Sequence, residues 1–179
     1  MARFQTDEGT GPMPTSGTNR PGPMGPQPRT VAVAGTAPIA IRFVRLGIDT
    51  DIEAKDFEFG LPSDPSTPWI AAWYHNSALL GEPGVVLIGG KTTVDDDGPS
   101  AFTRLAEAVE GDLVEITGQN RGSFPYTVET VEPSVKTPAF DQLFAMKDQE
   151  RLMLVGWDGK YPSRLSSRTV TVVTAVRKL

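Results

Sequence analysis

A chain of 179 residues, 39% hydrophobic and 22% charged, is long enough to bury one core and has the composition of an ordinary folded protein. Its formal net charge of -5 argues against nucleic acid or an anionic membrane surface as a partner, although Arg177 and Lys178 leave a basic C-terminal end. It has 0 cysteines, which excludes disulfides, thiolate metal sites and any thiol nucleophile of its own.

The 18 glycines and 16 prolines crowd toward the N-terminus. Residues 1–35 therefore read as an extended or disordered Pro/Gly-rich arm, because proline removes backbone donors and glycine raises the entropy lost on ordering. Such an arm is either a free tail or a strap laid across a neighbouring subunit. In the second case Pro12, Pro14, Pro21, Pro23, Pro26 and Pro28 are the candidate partner contacts. Met1 to Thr10 lacks the apolar centre of a signal peptide, and no stretch approaches the ~18 continuous apolar residues of a membrane span. The expectation is a protein neither secreted nor membrane-anchored.

Residues 36–179 read as one β domain. Val31-Ala32-Val33-Ala34 is either a first strand or the end of the arm. Ile39, Ile41 and Phe43, followed by a turn and Ile52, predict a strand pair at a sheet edge. Asp64-Pro65-Ser66-Thr67-Pro68 is a loop, and Trp69 to Tyr74 a buried strand. In Gly81 to Thr93, the apolar run Val85-Val86-Leu87-Ile88 is closed on both sides by glycine, which suits a strand buried on both faces. The spacing of Phe102, Leu105 and Val109 predicts a short amphipathic helix over Ala101 to Val109, covering one end of the sheet. A hairpin follows through Gly118 to Gly122. Phe140 to Met146 reads as one or two helical turns, Arg151 to Trp157 as a buried strand, and Thr169 to Val176 as a last strand alternating threonine with valine. Many short strands joined by turns predict a mainly β, closed barrel with one or two short helices.

Familiar catalytic patterns fit poorly. Gly89-Gly90-Lys91-Thr92 invites a phosphate-loop reading, but the spacing to the preceding glycine is wrong and a strand occupies the place of the loop. Asp95, Asp96 and Asp97 are weak metal candidates, since three consecutive carboxylates do not easily converge on one ion. His75, the only histidine, has no spacing that pairs it with Ser77 or Ser163 and an orienting group. No cofactor is expected.

The order of the elements resembles the sortase family, most of all its actinobacterial branch. The matching residues run from Pro38-Ile39-Ala40-Ile41-Arg42 and Ile48-Asp49 through Trp73-Tyr74, Gly81-Glu82-Pro83-Gly84 and Val86-Leu87-Ile88-Gly89. They continue with Gly98-Pro99, Phe102, Leu105, Glu110-Gly111-Asp112-Leu113-Val114, Tyr126-Thr127-Val128, Leu152-Met153-Leu154 and Val172-Val173-Thr174-Ala175. The resemblance implies an eight-stranded barrel. It also implies a transpeptidase in which a cysteine attacks a threonyl peptide bond, a histidine protonates the leaving amine and an arginine stabilises the oxyanion. Carried over by position, the histidine falls at Gly90, the cysteine at Trp157 and the arginine at Arg168. Two of the three chemistries are absent, and an indole stands near the groove where a sorting signal would lie.

The expected function is that of a catalytically inactive sortase-like domain. It would serve as a structural or interaction subunit of a larger homo- or hetero-oligomeric assembly of proteins, such as a bacteriophage head or tail, and so be found in the cytoplasm or a virion. The alternatives are an intracellular peptide-binding pseudoenzyme or regulator and an unrecognised hydrolase or transpeptidase.

Overall fold

The structure, a computed structural model, describes residues 35–159 and 169–178. The arm prolines, Val31 to Ala34, Ser163 and Arg168 lie outside the described residues.

In chain order the strands are β1 (Pro38–Phe43), β2 (Ile48–Lys55), β3 (Phe57–Glu58), β4 (Leu61–Pro62), β5 (Ala71–Tyr74) and β6 (Gly84–Lys91). They continue with β7 (Val94–Asp95), β8 (Gly98–Pro99), β9 (Leu113–Gly118), β10 (Ser123–Lys136), β11 (Glu150–Trp157) and β12 (Thr169–Arg177), and the helix α1 spans Phe140–Ala145. Eight of the strands close a barrel in the order β1-β2-β5-β6-β11-β12-β10-β9, while β3–β4 and β7–β8 are small hairpins outside it. Within the barrel, β2–β5 and β6–β11 are parallel pairs and the other pairs are antiparallel.

Two cores explain the burial pattern. Inside the barrel, Ile41, Phe43, Trp73, Val86, Ile88, Leu152, Leu154 and Val173 pack together with Phe102 and Leu105. On the outer face of β5, β6, β11 and β12, Tyr74, Leu87, Val155, Trp157 and Val172 form a second core, against which Phe140 of α1 and Phe57 of β3 pack. The β6 strand is buried along its whole length because it is covered from both sides, as its unbroken apolar run predicts. Phe57 meets Tyr74 and Phe140 edge-on, at 5.3 Å and 5.4 Å between ring centres.

Three local expectations are corrected. The β1–β2 pair is not at an edge, since β1 also pairs with β9 and so closes the barrel. The strand predicted from Trp69 begins at Ala71, and Trp69 itself is half-exposed. The amphipathic helix is reduced to a single 3-10 turn, Leu105–Glu107. The Phe102 N–H donates to the Lys91 carbonyl and the Thr103 hydroxyl to the Ser100 and Thr93 carbonyls, so this segment is tied to the chain beyond β6. Phe102 and Leu105 still plug the barrel, but Val109 is exposed.

An ion pair fastens the turn after β1 to the start of β9. The Arg45 Nε and Nη2 groups donate to the two Asp112 oxygens, each at 2.6 Å, and the Val109 N–H donates to Oδ2 at 2.8 Å. These donors, led by Arg45, hold the Asp112 carboxyl below its ordinary pKa against the opposing effect of burial. Its folded value lies under its unfolded one. Its contribution to stability is therefore present above the unfolded carboxylate pKa and lost as pH falls through the folded value. Denaturation followed from neutral pH down through the carboxylate range should show a shallower acid-side loss for Asp112→Asn than for the wild type.

Candidate functional site

The parallel register of β6 and β11 sets Gly90 beside Gly156 and Lys91 beside Trp157. Side chains alternate along a strand, so Gly90 and Gly156 face the barrel interior while Gly89, Lys91 and Trp157 face outward. The two positions to which the sequence carries the histidine and the cysteine thus look in opposite directions. The side chain beside Trp157 is Lys91, which the sequence offered only as part of a poorly fitting phosphate loop.

Each of these places is filled. A Cβ on Gly90 would come within 2.7 Å of the Phe102 ring. On Gly89 it would come within 2.5 Å of the Trp157 indole and 2.9 Å of the Tyr74 hydroxyl. On Gly156 it would meet the Thr92 Cγ2 at 2.7 Å. Glycine is required at Gly89 because the six-membered ring of the indole lies where a side chain would start. Gly89→Ala should lower stability by about 1–3 kcal/mol, the usual range for overpacking. Alanine at Gly98, where nothing lies within 4 Å but φ is +112°, tests backbone strain without crowding and serves as the control in the same thermal melt.

Trp157 is 1% exposed, and its Nε1–H donates to Asp64 Oδ1 at 3.0 Å. The Lys91 ammonium lies 2.9 Å from the same oxygen and also donates to the Gly159 carbonyl. Lys91 is only 9% exposed. Asp64 follows β4, and the β3–β4 hairpin is stapled down beside it. The Tyr74 hydroxyl donates to the Ser63 carbonyl at 2.8 Å, and the Ser63 hydroxyl to the Asp56 carbonyl at 2.7 Å. Lys91, Asp64 and Trp157 thus bind the ends of β6 and β11 to the loop after β4. Chemically the cluster neutralises a desolvated ammonium and orients an indole, and it presents neither a thiol nor an imidazole.

The other sequence candidates lie elsewhere. His75 Nδ1 is 2.8 Å from Asp56 Oδ1, and its ring stands edge-on to Trp73. The Ser77 hydroxyl donates to the Tyr74 carbonyl and accepts the Leu87 N–H, so its bonds brace β6 rather than engage His75. Asp95, Asp96 and Asp97 sit on the exposed β7–β8 hairpin, where Asp95 Oδ1 accepts the Asp97 N–H. Among the described residues no three His, Asp or Glu side chains gather as a metal site. Gly89, Gly90 and Lys91 belong to β6, which leaves no loop there to wrap a phosphate. A cleft of about 380 Å³ opens at the start of β6, among Trp73, His75, Pro83 and Phe144, away from the Lys91 end.

Comparison with known proteins bears on the family and the fold. The profile of the Sortase domain matches residues 49–176. No curated protein sequence matches. Among solved structures, sortase A from Corynebacterium diphtheriae superposes with a TM-score of 0.61 at 17% identity, over 81% of this chain and 62% of that one. Sortase C-1 from Actinomyces oris gives 0.59 at 17%, over 79% and 75%. A Clostridium perfringens sortase D5 transpeptidase gives 0.58 at 17%, over 80% and 79%. At such identities the structural likeness speaks to the fold, which is shared around the whole barrel. With its domain profile matched and its eight-stranded barrel closed in the same way, the chain belongs to the sortase family, and it does so without a cysteine anywhere in its sequence.

Proposed function

We propose that this chain is a non-catalytic sortase-fold module whose work is protein–protein association as a subunit of a larger assembly. The observation that carries the reading is Trp157. The position carried over from the family cysteine holds an indole that is 1% exposed, closes on Gly89 and is hydrogen-bonded to Asp64. Acyl transfer by the family's chemistry needs a thiolate at that point and an acid for the leaving amine. Here a packed core stands in the thiolate's place and the Phe102 ring closes on Gly90, so the arrangement favours rigidity over turnover. The same packing covers the outer face of β6 and β11, which counts against holding a peptide there in the family manner.

Two measurements on the purified full chain test this. Light scattering coupled to size exclusion should show a self-assembled species or a stable complex with a second protein. A threonine-containing sorting peptide incubated with an amine acceptor should be recovered unchanged. A strict monomer that cleaves the peptide would overturn the proposal.

A further inference from the structure

We infer that the barrel mouth at the starts of β6 and β11, the end away from Trp157, holds an extended peptide segment whose N–H and C=O meet Glu150 and Arg177. The inference rests on the reading of the chain as an association module and names where it takes hold of a partner's chain.

The first observation is an arginine whose fork is unused. In the registers of β10 with β12 and of β11 with β12, Arg177 stands between Tyr126 and Glu150. Ala175 on β12, Leu152 on β11 and Tyr126 itself belong to the inner core, so by alternation all three side chains turn toward the inside. The Arg177 guanidinium lies over the Phe124 ring at 4.5 Å, and its ion pair with Glu150 is long, 3.8 Å from Nε to Oε2. Its Nη1 is buried and has no hydrogen-bond partner among the described residues. A buried donor left unmet costs stability, and most such groups in folded proteins are paired.

The second observation is a carboxylate held in place but not used up. The Tyr126 hydroxyl and the Gly81 N–H both donate to Glu150 Oε1, the latter at 3.0 Å. Burial, and then the contact with Glu150, keeps the Tyr126 hydroxyl above its ordinary pKa, so it stays a donor. Among the described residues Oε2 has only the long contact to Arg177.

There is also room. A cleft of about 330 Å³ opens at the rim of the mouth, lined by Gly81, Pro83, Gln149, Glu150, Val176 and Arg177. Barrel mouths are common ligand places, where a few polar groups in an apolar lining fix orientation. Arg177 and Glu150 present a donor and an acceptor side by side and are neutral as a pair. In an extended chain the N–H and C=O of one residue point to the same side, so a single residue meets both, its N–H on Oε2 and its carbonyl on the fork. A carboxylate would instead set a second negative charge beside Glu150, with Arg177 the one cation on the lining.

The test titrates the full wild-type chain, labelled with nitrogen-15 and diluted to its smallest species, with N-acetyl-leucine N-methylamide. The Gly81 amide and Arg177 Nε–H signals should both shift and saturate. N-acetylproline N-methylamide lacks the N–H for Oε2 and should bind about fivefold more weakly or worse, the worth of one hydrogen bond. N-acetyl-leucine, a carboxylate, should bind no better than the proline compound. Arg177→Lys keeps the charge and the stem without the fork, so its thermal midpoint should stay within a few degrees of the wild type while the leucine amide binds about fivefold or more weakly. Loss of the large species by that variant in size exclusion supports the site with a second copy as the source of the segment, and its persistence supports the site with a different protein as the source. Wild-type signals that do not move overturn the inference and leave the association reading standing. Probe binding by a chain that is monomeric at every concentration supports the site and removes only the self-assembling form of that reading. Undiminished binding by Arg177→Lys, or equal binding of all three probes, overturns the inference, and tighter binding of N-acetyl-leucine assigns the mouth to an anion and overturns it too.

Discussion

Truncating Trp157 to alanine should lower the stability of the barrel by about 3–5 kcal/mol, the range for removing a large aromatic from a packed core. The indole is 1% exposed and packs on Gly89, which has no side chain to fill the space left behind. Trp157→Phe separates the two parts of the effect. It keeps most of the ring but gives up the Nε1–H donated to Asp64, and should lose about 1–2 kcal/mol. Trp157→Cys then asks the chemical question. It restores a thiol at the family position, yet Gly90 offers no acid, and the Phe102 ring stands where the first carbon of a histidine would go. Urea titration should show all three variants destabilised in the order Ala ≈ Cys > Phe. Mass spectrometry should find no acyl adduct on the cysteine after exposure to a threonine-containing sorting peptide. An adduct in Trp157→Cys alone, or in Trp157→Cys with Gly90→His, would show that the catalytic geometry has survived and would count against the module reading.

The barrel was legible because its strands are short, apolar and bounded by turn residues. Val85 to Ile88 between glycines could be read as a strand buried on both faces, and β6 is one. The resemblance by order of elements is supported by the Sortase domain match over residues 49–176. Where the reading failed, tertiary contacts overrode local pattern. Phe102 and Leu105 have helical spacing, but their burial is satisfied by a turn tied to Lys91 and Thr93, so no helix is needed. Nothing local revealed the edge status of β1, because closure depends on β9, far along the chain. The site was half legible. Absence of cysteine is visible in any sequence, and Trp157 was identified by position. Lys91 was read only within a rejected phosphate-loop motif and Asp64 only as a loop residue, because an ion pair between a strand end and a loop leaves no periodic signal. Lys91 sits at an outward place on β6, where a sequence reader expects solvent, and only the stapled hairpin reveals that the place is covered.

That concealed pair yields a prediction of comparable size. Asp64→Ala leaves the Lys91 ammonium, 9% exposed, facing the Gly159 carbonyl with its carboxylate gone, and removes the acceptor of the Trp157 N–H. An ammonium deprived of its partner in a desolvated place is strongly destabilising, and because Asp64 keeps 26% of its side chain in solvent the loss should be about 2–4 kcal/mol rather than the full range for deep burial. Lys91→Met is milder. The thioether follows the path of the lysine stem among apolar neighbours, and Asp64 retains both solvent contact and the indole, so about 1 kcal/mol or less should be lost. Combining the two substitutions removes both charges at once, and the double variant should be more stable than Asp64→Ala alone. Urea denaturation of the four proteins closes the cycle, and the coupling should exceed about 1 kcal/mol, above the scatter expected of independent sites. A cycle that adds without coupling would mean that water screens the pair as it does at a surface, and that the ends of β6 and β11 stand open. A coupled cycle means the charge is held for the shape it fixes: the ammonium and the indole share one carboxylate oxygen, so neither can leave the other's side without exposing a group that the barrel has taken out of water.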